Sequence, residues 1–373
     1  MNIQSAEPMS PRQYIIFTTH TQIQHNHASE RERERVQYPI RPLRFLSAVA
    51  VLTCLAWNVR LGLNVAPVGE EEEEARNLPT LTTPILPKTK ATNAKKKNEL
   101  PIVDSILYNG EPIILIRLEL LYDFVDRFYI TESTVTFSGK PKPLHSKQHL
   151  KDFEPYQDKI TWLVYEPAEN ITGAWERESK QRQFAVTQMR SDVENQTLST
   201  PFVVINTDGD ELVNPKILED MQPGGSFHSQ VLTQAMFLEM TWCCYNANWK
   251  KNGNWTKGHV LPGEKLLSGE YNLQTFRNKR RGKPSLPEAG WHLTYFLSID
   301  EMIHKIESFS HQEYNKPWVK NRTRIEDCIR NGKELYGRTW WVEQMTPYDP
   351  TTLPLPLQRF HQDVVARQNI TQK

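Results

Sequence analysis

The sequence predicts an α/β fold with a mainly parallel central sheet, and three observations carry that expectation. From residue 103 onward, apolar runs of strand length alternate with segments of helical periodicity. One run, Phe202 to Ile205, is apolar without interruption, as a strand covered on both faces must be. It leads into Asn206-Thr207-Asp208-Gly209-Asp210-Glu211, which puts carboxylates at the C-terminal edge, where open α/β sheets hold their ligands. The 373 residues leave room for one large domain, or two small ones, with appendages. A formal net charge of +1 gives no global field for a nucleic-acid partner.

The N-terminal part reads differently. Residues 1–44 are polar, with an alternating Arg31-Glu32-Arg33-Glu34-Arg35, and are expected to be a disordered cytosolic tail. Residues 45–65 (FLSAVAVLTCLAWNVRLGLNV) are expected to form one signal-anchor span, with Arg60 snorkelling. Arg41 and Arg44 precede it and Glu70 to Glu74 follow, so the positive-inside rule puts the N-terminus in the cytosol and the rest in a lumen. Residues 66–100 read as a stalk. Asn170, Asn195, Asn254, Asn321 and Asn369 each begin a glycan acceptor sequon, all on the expected lumenal side. Four cysteines show no zinc spacing and no disulfide framework; one bridge from Cys328 to Cys243 or Cys244 stays open.

Residues 101–338 are the expected globular domain. Val103 to Tyr108 is its first strand, Glu111-Pro112 opens a helix with Ile114, Leu118, Leu121 and Val125 inward, and Phe128 to Ile130 completes a βαβ unit. Thr131-Glu132-Ser133 then lie at the C-terminal edge. Ile160 to Tyr165 is a third strand, and a helix opens at Trp175 and runs toward Val193 with Trp175, Phe184, Met189 and Val193 partly buried. Within it Glu178 and Arg182 stand four apart, either as a surface pair or as part of an anion site together with Glu176 and Arg177. Residues 226–289 carry Trp242, Trp249 and Trp255, which suit either sugar faces or an antiparallel layer with its own core. Ser298 and Glu301 form a capping box before Ile299, Met302, Ile303 and Ile306, and that helix ends at Ser308 to Glu313. Residues 339–373 read as a Pro-rich peripheral tail.

Gly209 lets the backbone turn so that Asp208 and Asp210 face one cation, and oxygen ligands of this kind suit Mg²⁺ or Mn²⁺ carrying a diphosphate. A solvated acidic turn is the plain alternative. An EF-hand fails for want of further ligands at Leu212-Val213-Asn214, and an aspartyl phosphatase is disfavoured by Leu212 two residues after Asp210.

Five blocks in order, ITESTVTFSGKPKPL (130–144), WERESKQR (175–182), INTDGDELVNP (205–215), GWH (290–292) and SFSHQE (308–313), resemble glycosyltransferase family 17 over roughly residues 102–336. The chain differs at Gly209, where the family usually has Val or a similar residue, and at Leu293, where a Cys commonly follows Gly-Trp-His; residues 221–289 match only loosely. The resemblance implies a GT-A-like fold and a single-pass type II Golgi membrane enzyme. Its implied reaction moves N-acetylglucosamine from UDP-GlcNAc, with a divalent cation, to a mannose of N-linked glycans in the bisecting β-1,4 linkage. The implied roles are Asp208 and Asp210, completed by His292 or His311, for the metal, and Glu132, Glu176, Arg177, Arg182 and Asp208 for the donor. The base is sought among Glu313, Glu288, Glu211 and Glu176, with Glu313 favoured. A different UDP-sugar donor, or a non-catalytic carbohydrate-binding Golgi protein of the same fold, are the alternatives.

Overall fold

A computed structural model describes residues 14–17, 99–277, 282–338 and 345–370. The first half of the domain is built from β2 (Ile102–Tyr108), α1 (Ile113–Leu121), β3 (Arg127–Ser133), β4 (Ile160–Tyr165), α2 (Ala174–Glu194) and β5 (Val203–Asn206). β4, β3, β2 and β5 lie side by side in that order, all parallel. The short Tyr14–Phe17 strand, β1, adds to the outer edge of β4, also parallel, where an irregular tail is expected from the sequence.

The second half continues the same sheet. β6 (Glu211–Val213), β7 (Met236–Cys244), β8 (Asn246–Trp255), β9 (His259–Pro262), the one-turn α3 (Leu273–Arg277) and β10 (Ser285–Thr294) are followed by α4 (Ile299–Ser308), α5 (Arg322–Asn331), β11 (Thr346–Pro347) and α6 (Leu355–Gln368). Past β5 the order runs β9, β7, β10, β6, with β8 and then β11 branching from β7. Of these contacts only β7 with β10 is parallel; β5 with β9, β9 with β7, β7 with β8, β10 with β6 and β8 with β11 are antiparallel. The sheet is therefore mixed rather than mainly parallel. For one of these pairs the reason is local: Tyr245, at φ 66°, turns β7 straight back into β8, and such a hairpin can only pair antiparallel strands.

Two apolar layers cover the parallel strands. The period of two along β2 sends Ile102 and Ile106 to the layer shared with α1 and α6, and Val103 to the layer shared with α2. On α2 the inward stripe is Gln181, Arg182, Ala185, Val186, Gln188, Met189 and Asp192; Trp175, expected to be partly buried, is 46% exposed. α1 stops at Leu121, one turn short of Val125. α4 carries the expected capping box, with Ile299, Met302 and Ile306 buried. The C-terminal segment is not peripheral: Leu357, Phe360 and Val364 of α6 lie in the core against α1, and Arg367 pairs with Glu301 at 2.6 Å. Cys243, Cys244 and Cys328 are buried free thiols, so neither of the two bridges left open by the sequence is present. Among the described residues no helix is long and apolar enough to cross a membrane, and the expected anchor at 45–65 lies outside them.

Candidate functional site

The site starts from a charge buried in the wrong-looking place. Arg117 sits in the apolar helix α1 with no exposure, and its guanidinium meets Asp104 of β2 twice at 2.7 Å. Both charges would be prohibitive alone, and pairing plus hydrogen bonding offsets much of that cost. The remaining donors of Arg117 hold the acidic turn from beneath. Nη1 donates to the carbonyls of Asp208 (3.1 Å) and Glu211 (2.7 Å), and Nη2 to Thr207 Oγ1 (2.5 Å). The turn after β5 is thus a rigid platform rather than a solvated loop.

On one side of it, Asp208 receives two buried arginines. Arg182 of α2 reaches Oδ1 and Arg277 of α3 reaches Oδ2, each at 2.6 Å, while the Asp208 carboxylate remains 38% exposed. Desolvation would raise its pKa, but the Arg277 and Arg182 charges outweigh it and hold Asp208 well below the usual carboxylate range. Arg182 also donates to Glu178 (3.0 Å) and to Gln274 (2.8 Å), yet its buried Nη1 finds no acceptor among the described residues. Glu211, fully buried, has its oxygens taken by Arg277 (2.8 and 3.0 Å), Trp255 Nε1 (2.6 Å) and the Asp208 N–H (3.0 Å). A carboxylate so fully engaged is a strut; the expectation of Glu211 as a base is corrected.

On the other side, Asp210 meets Lys305 of α4 at 2.9 Å and lies 3.7 Å from His292 Nε2. Burial would lower the Lys305 pKa, but Asp210 and Glu111 together raise it, so it stays charged. His292 is packed against Trp242 and Trp255, ring centroids 5.7 and 4.1 Å away, and burial pushes its pKa down despite Asp210. It is a neutral imidazole at neutral pH. Trp242 and Trp255, two of the tryptophans that suggested sugar faces, therefore wall this side of the site in the antiparallel layer.

The other expected residues divide sharply. His311 and Glu313 are exposed and paired at 2.6 Å, and their segment is tied to the site because Ser310 hydrogen-bonds Glu178. Desolvation raises the Glu313 pKa, but the His311 hydrogen bond, a backbone hydrogen bond and the His311 charge together outweigh it, so Glu313 is ionised and a mild base. Glu132 is corrected as a donor ligand: it is buried and spent on Lys142 (3.2 Å) and on the backbone N–H groups of His145 (2.6 Å) and Ser146 (3.1 Å). Arg177 holds the 134–142 loop, donating to the Phe137 carbonyl at 3.0 Å and filling the space beside Gly139, where a Cβ would sit 2.8 Å from its Nη2. Glu176 is exposed in the first turn of α2. Glu288 is exposed in the bulge of β10 at φ 51°, four positions before His292, where Gly290 clears the Leu212 carbonyl.

The expected metal shell does not assemble. Among the described residues no three His, Cys, Asp or Glu side chains are grouped to hold an ion; Asp208 is neutralised by two guanidiniums, Asp210 by an ammonium, and His311 turns to Glu313. Sequence reasoning missed Asp104, Arg117, Arg277 and Lys305. The first two carried a signal, a charge inside an apolar strand and another inside an apolar helix; the last two carried none.

A rigid acidic turn at the carboxyl edge of parallel strands, flanked by three side-chain cations, is suited to an anionic, phosphorylated ligand. Comparison with known families makes the class plain: the protein is a glycosyltransferase. The chain belongs to glycosyltransferase family 17, whose family model matches residues 84–342. A search of curated proteins finds no match. Among solved structures, it is similar to the inositol-1-phosphate CTP transferase from T. maritima (12% identity, TM-score 0.25, covering 52% of this chain and 86% of that one). It is also similar to a glycosyltransferase involved in glycosylation of the major capsid of PBCV-1 (14%, 0.22, 48% and 68%) and to the nucleoside-diphosphate-sugar pyrophosphorylase from Vibrio cholerae RC9 (8%, 0.25, 52% and 91%). These likenesses are too faint to carry an argument.

Proposed function

We propose that the chain is an inverting β-1,4-N-acetylglucosaminyltransferase, taking its sugar from UDP-GlcNAc and adding it to a mannose of N-linked glycans as a Golgi membrane enzyme. The observation that carries the donor half is Arg182 Nη1, a buried cationic donor beside Asp208 with no acceptor among the described residues. A diphosphate oxygen satisfies it once the side chains that cover it part. In this reading the acceptor hydroxyl attacks the anomeric carbon from the face opposite UDP, and the bond electrons leave on the β-phosphate oxygen. Arg182, Arg277 and Lys305 are preorganised cations for that growing charge, aligned before reaction and so costing little reorganisation. Glu313 receives the acceptor proton. A divalent ion would add Lewis-acid stabilisation, but the donor set described above does not fit one, and no step is assigned to it.

All five sequon asparagines are exposed, which supports a lumenal domain. A cytosolic residue 1–44 tail and the β1–β4 pairing exclude each other, because an intervening span would leave β1 across the membrane from its partner. Protease digestion of an N-terminal tag in sealed microsomes supports the anchor; protection of the tag refutes it.

The catalytic reading is tested by incubating the full chain with UDP-GlcNAc, UDP-galactose and UDP-glucose and an N-glycopeptide acceptor, with mass spectrometry of the product. A gain of one N-acetylhexosamine is expected. Gain of a hexose instead points to another donor, and the absence of both transfer and UDP release favours a non-catalytic carbohydrate-binding protein.

A further inference from the structure

Beyond the acidic turn, the face of the molecule carries an unusual row of rings. Trp175 at the start of α2 meets His311 edge-on, centroids 4.5 Å apart; His311 lies 5.6 Å from Tyr314, and Tyr314 4.4 Å from Tyr336. Arg338 spreads over both tyrosines, at 4.9 Å from the Tyr336 ring and 5.6 Å from Tyr314. Trp318 closes the row, lying against Gly337, where a Cβ would approach its ring to 3.5 Å. Only four large apolar side chains are exposed among the described residues, and two of them, Trp175 (46%) and Trp318 (48%), are the ends of this row.

The row is joined to the chemistry at two points. At one end Ser310 bonds Glu178, which holds Arg182 and so Asp208. Further along, Tyr336 bonds Tyr295, whose ring lies 6.0 Å from Lys305 Nζ, the partner of Asp210. Glu313 stands within the row, between His311 and Tyr314 in sequence.

We propose that this row is the acceptor subsite and that its ligand is an oligosaccharide, its pyranose rings lying on Trp175 and Tyr314. The inference rests on the donor reading of the acidic turn and names what is presented to it. A pyranose has an apolar C–H face and a rim of hydroxyls, and the row supplies ring faces interleaved with Glu313, Arg338 and His311 to match both. A protein partner would call for a broad apolar patch, whereas these rings follow one another in single file. Trp242 of the antiparallel layer has no such access: it is 9% exposed and packs on His292.

Isothermal titration of the full chain with a free mannose-containing N-glycan oligosaccharide tests this, in parallel with a titration of UDP. The wild type is expected to bind the oligosaccharide. Trp175→Ala and Tyr314→Ala should each weaken it roughly tenfold, with the fold of each variant confirmed by thermal melting, while Tyr314→Phe keeps it. Alanine variants that bind as the wild type does overturn the proposal, as does a wild type that binds UDP but no oligosaccharide. Oligosaccharide binding that depends on Trp175 and Tyr314 without any UDP binding leaves the row standing and brings down the donor reading. A wild type that binds neither ligand overturns both.

Discussion

The two sides of the acidic turn differ in how their charges are held. Asp208 faces α2 and α3, where Arg182 (2% exposed) and Arg277 (6%) grip it while also bonding Glu178, Gln274 and Glu211. Asp210 faces α4, where a single lysine, 26% exposed on a flexible stem, balances it beside a neutral His292. Planar guanidiniums in a multi-donor fork lose little freedom when they bind, whereas an ammonium on four methylenes can swing away. The first side is thus held rigidly in place, and on the second a single side chain can swing aside.

Replacing Arg277 by Met should break that contrast most severely. It leaves Glu211 buried with a lost charge partner, a defect worth about 3–5 kcal/mol. For a domain of this size the thermal midpoint should fall on the order of 10 °C. Arg182→Ala should be gentler on the fold, because Glu178 keeps Ser310 and Asp208 keeps Arg277, but should lower kcat/KM on the order of 100-fold through the loss of a preorganised donor. Lys305→Ala should cost less than about 1 kcal/mol in urea unfolding, as expected for a partly exposed pair. A midpoint drop for Lys305→Ala as large as that for Arg277→Met would erase the distinction.

Acid titration sharpens the same comparison. A carboxylate whose folded pKa is depressed, as for Asp208, contributes stability that is complete above the unfolded pKa, about 3.9, and lost only as pH falls through the folded value. The arginine side therefore holds through mild acid. Burial, by contrast, pushes His145 down to about 4 and His259 down to about 3. Below about pH 6.5 the unfolded chain takes up protons that these folded imidazoles refuse, so each should remove about 1.4 kcal/mol of stability per pH unit down to its folded pKa. Urea unfolding at pH 7, 6 and 5 should show that slope, and Asp208→Asn should leave it unaltered. Smallest of all, Mn²⁺ added without nucleotide should leave the wild-type midpoint in place, since side-chain cations already neutralise both aspartates.

Much of this was readable from the residues, for reasons that can be named. β4 was found to the residue because Ile160 to Tyr165 is short, apolar and bracketed by polar segments. The capping box fixed the start of α4 because Ser298 and Glu301 satisfy each other's backbone locally. The acidic turn was legible because its carboxylates are contiguous. What failed was whatever depends on partners distant in the chain. Glu132 looked like a ligand and is a cap for residues 145–146; Trp242 and Trp255 looked like sugar platforms and wall in His292. Arg277 and Lys305 lie 69 and 95 residues from the aspartates they serve. Asp104 and Arg117 were findable in principle, because a lone charge in an apolar strand and another in the next apolar helix are affordable only together.

The central claim is that the arginine side of the acidic turn binds the diphosphate of a nucleotide sugar. Titrating UDP into the full chain and into Arg182→Ala, with both melting profiles recorded, tests it most directly. The account predicts measurable binding to the wild type, weakened roughly tenfold or more in Arg182→Ala, as for one charge-assisted hydrogen bond of about 1.5–3 kcal/mol. Equal affinities in two folded proteins would contradict it.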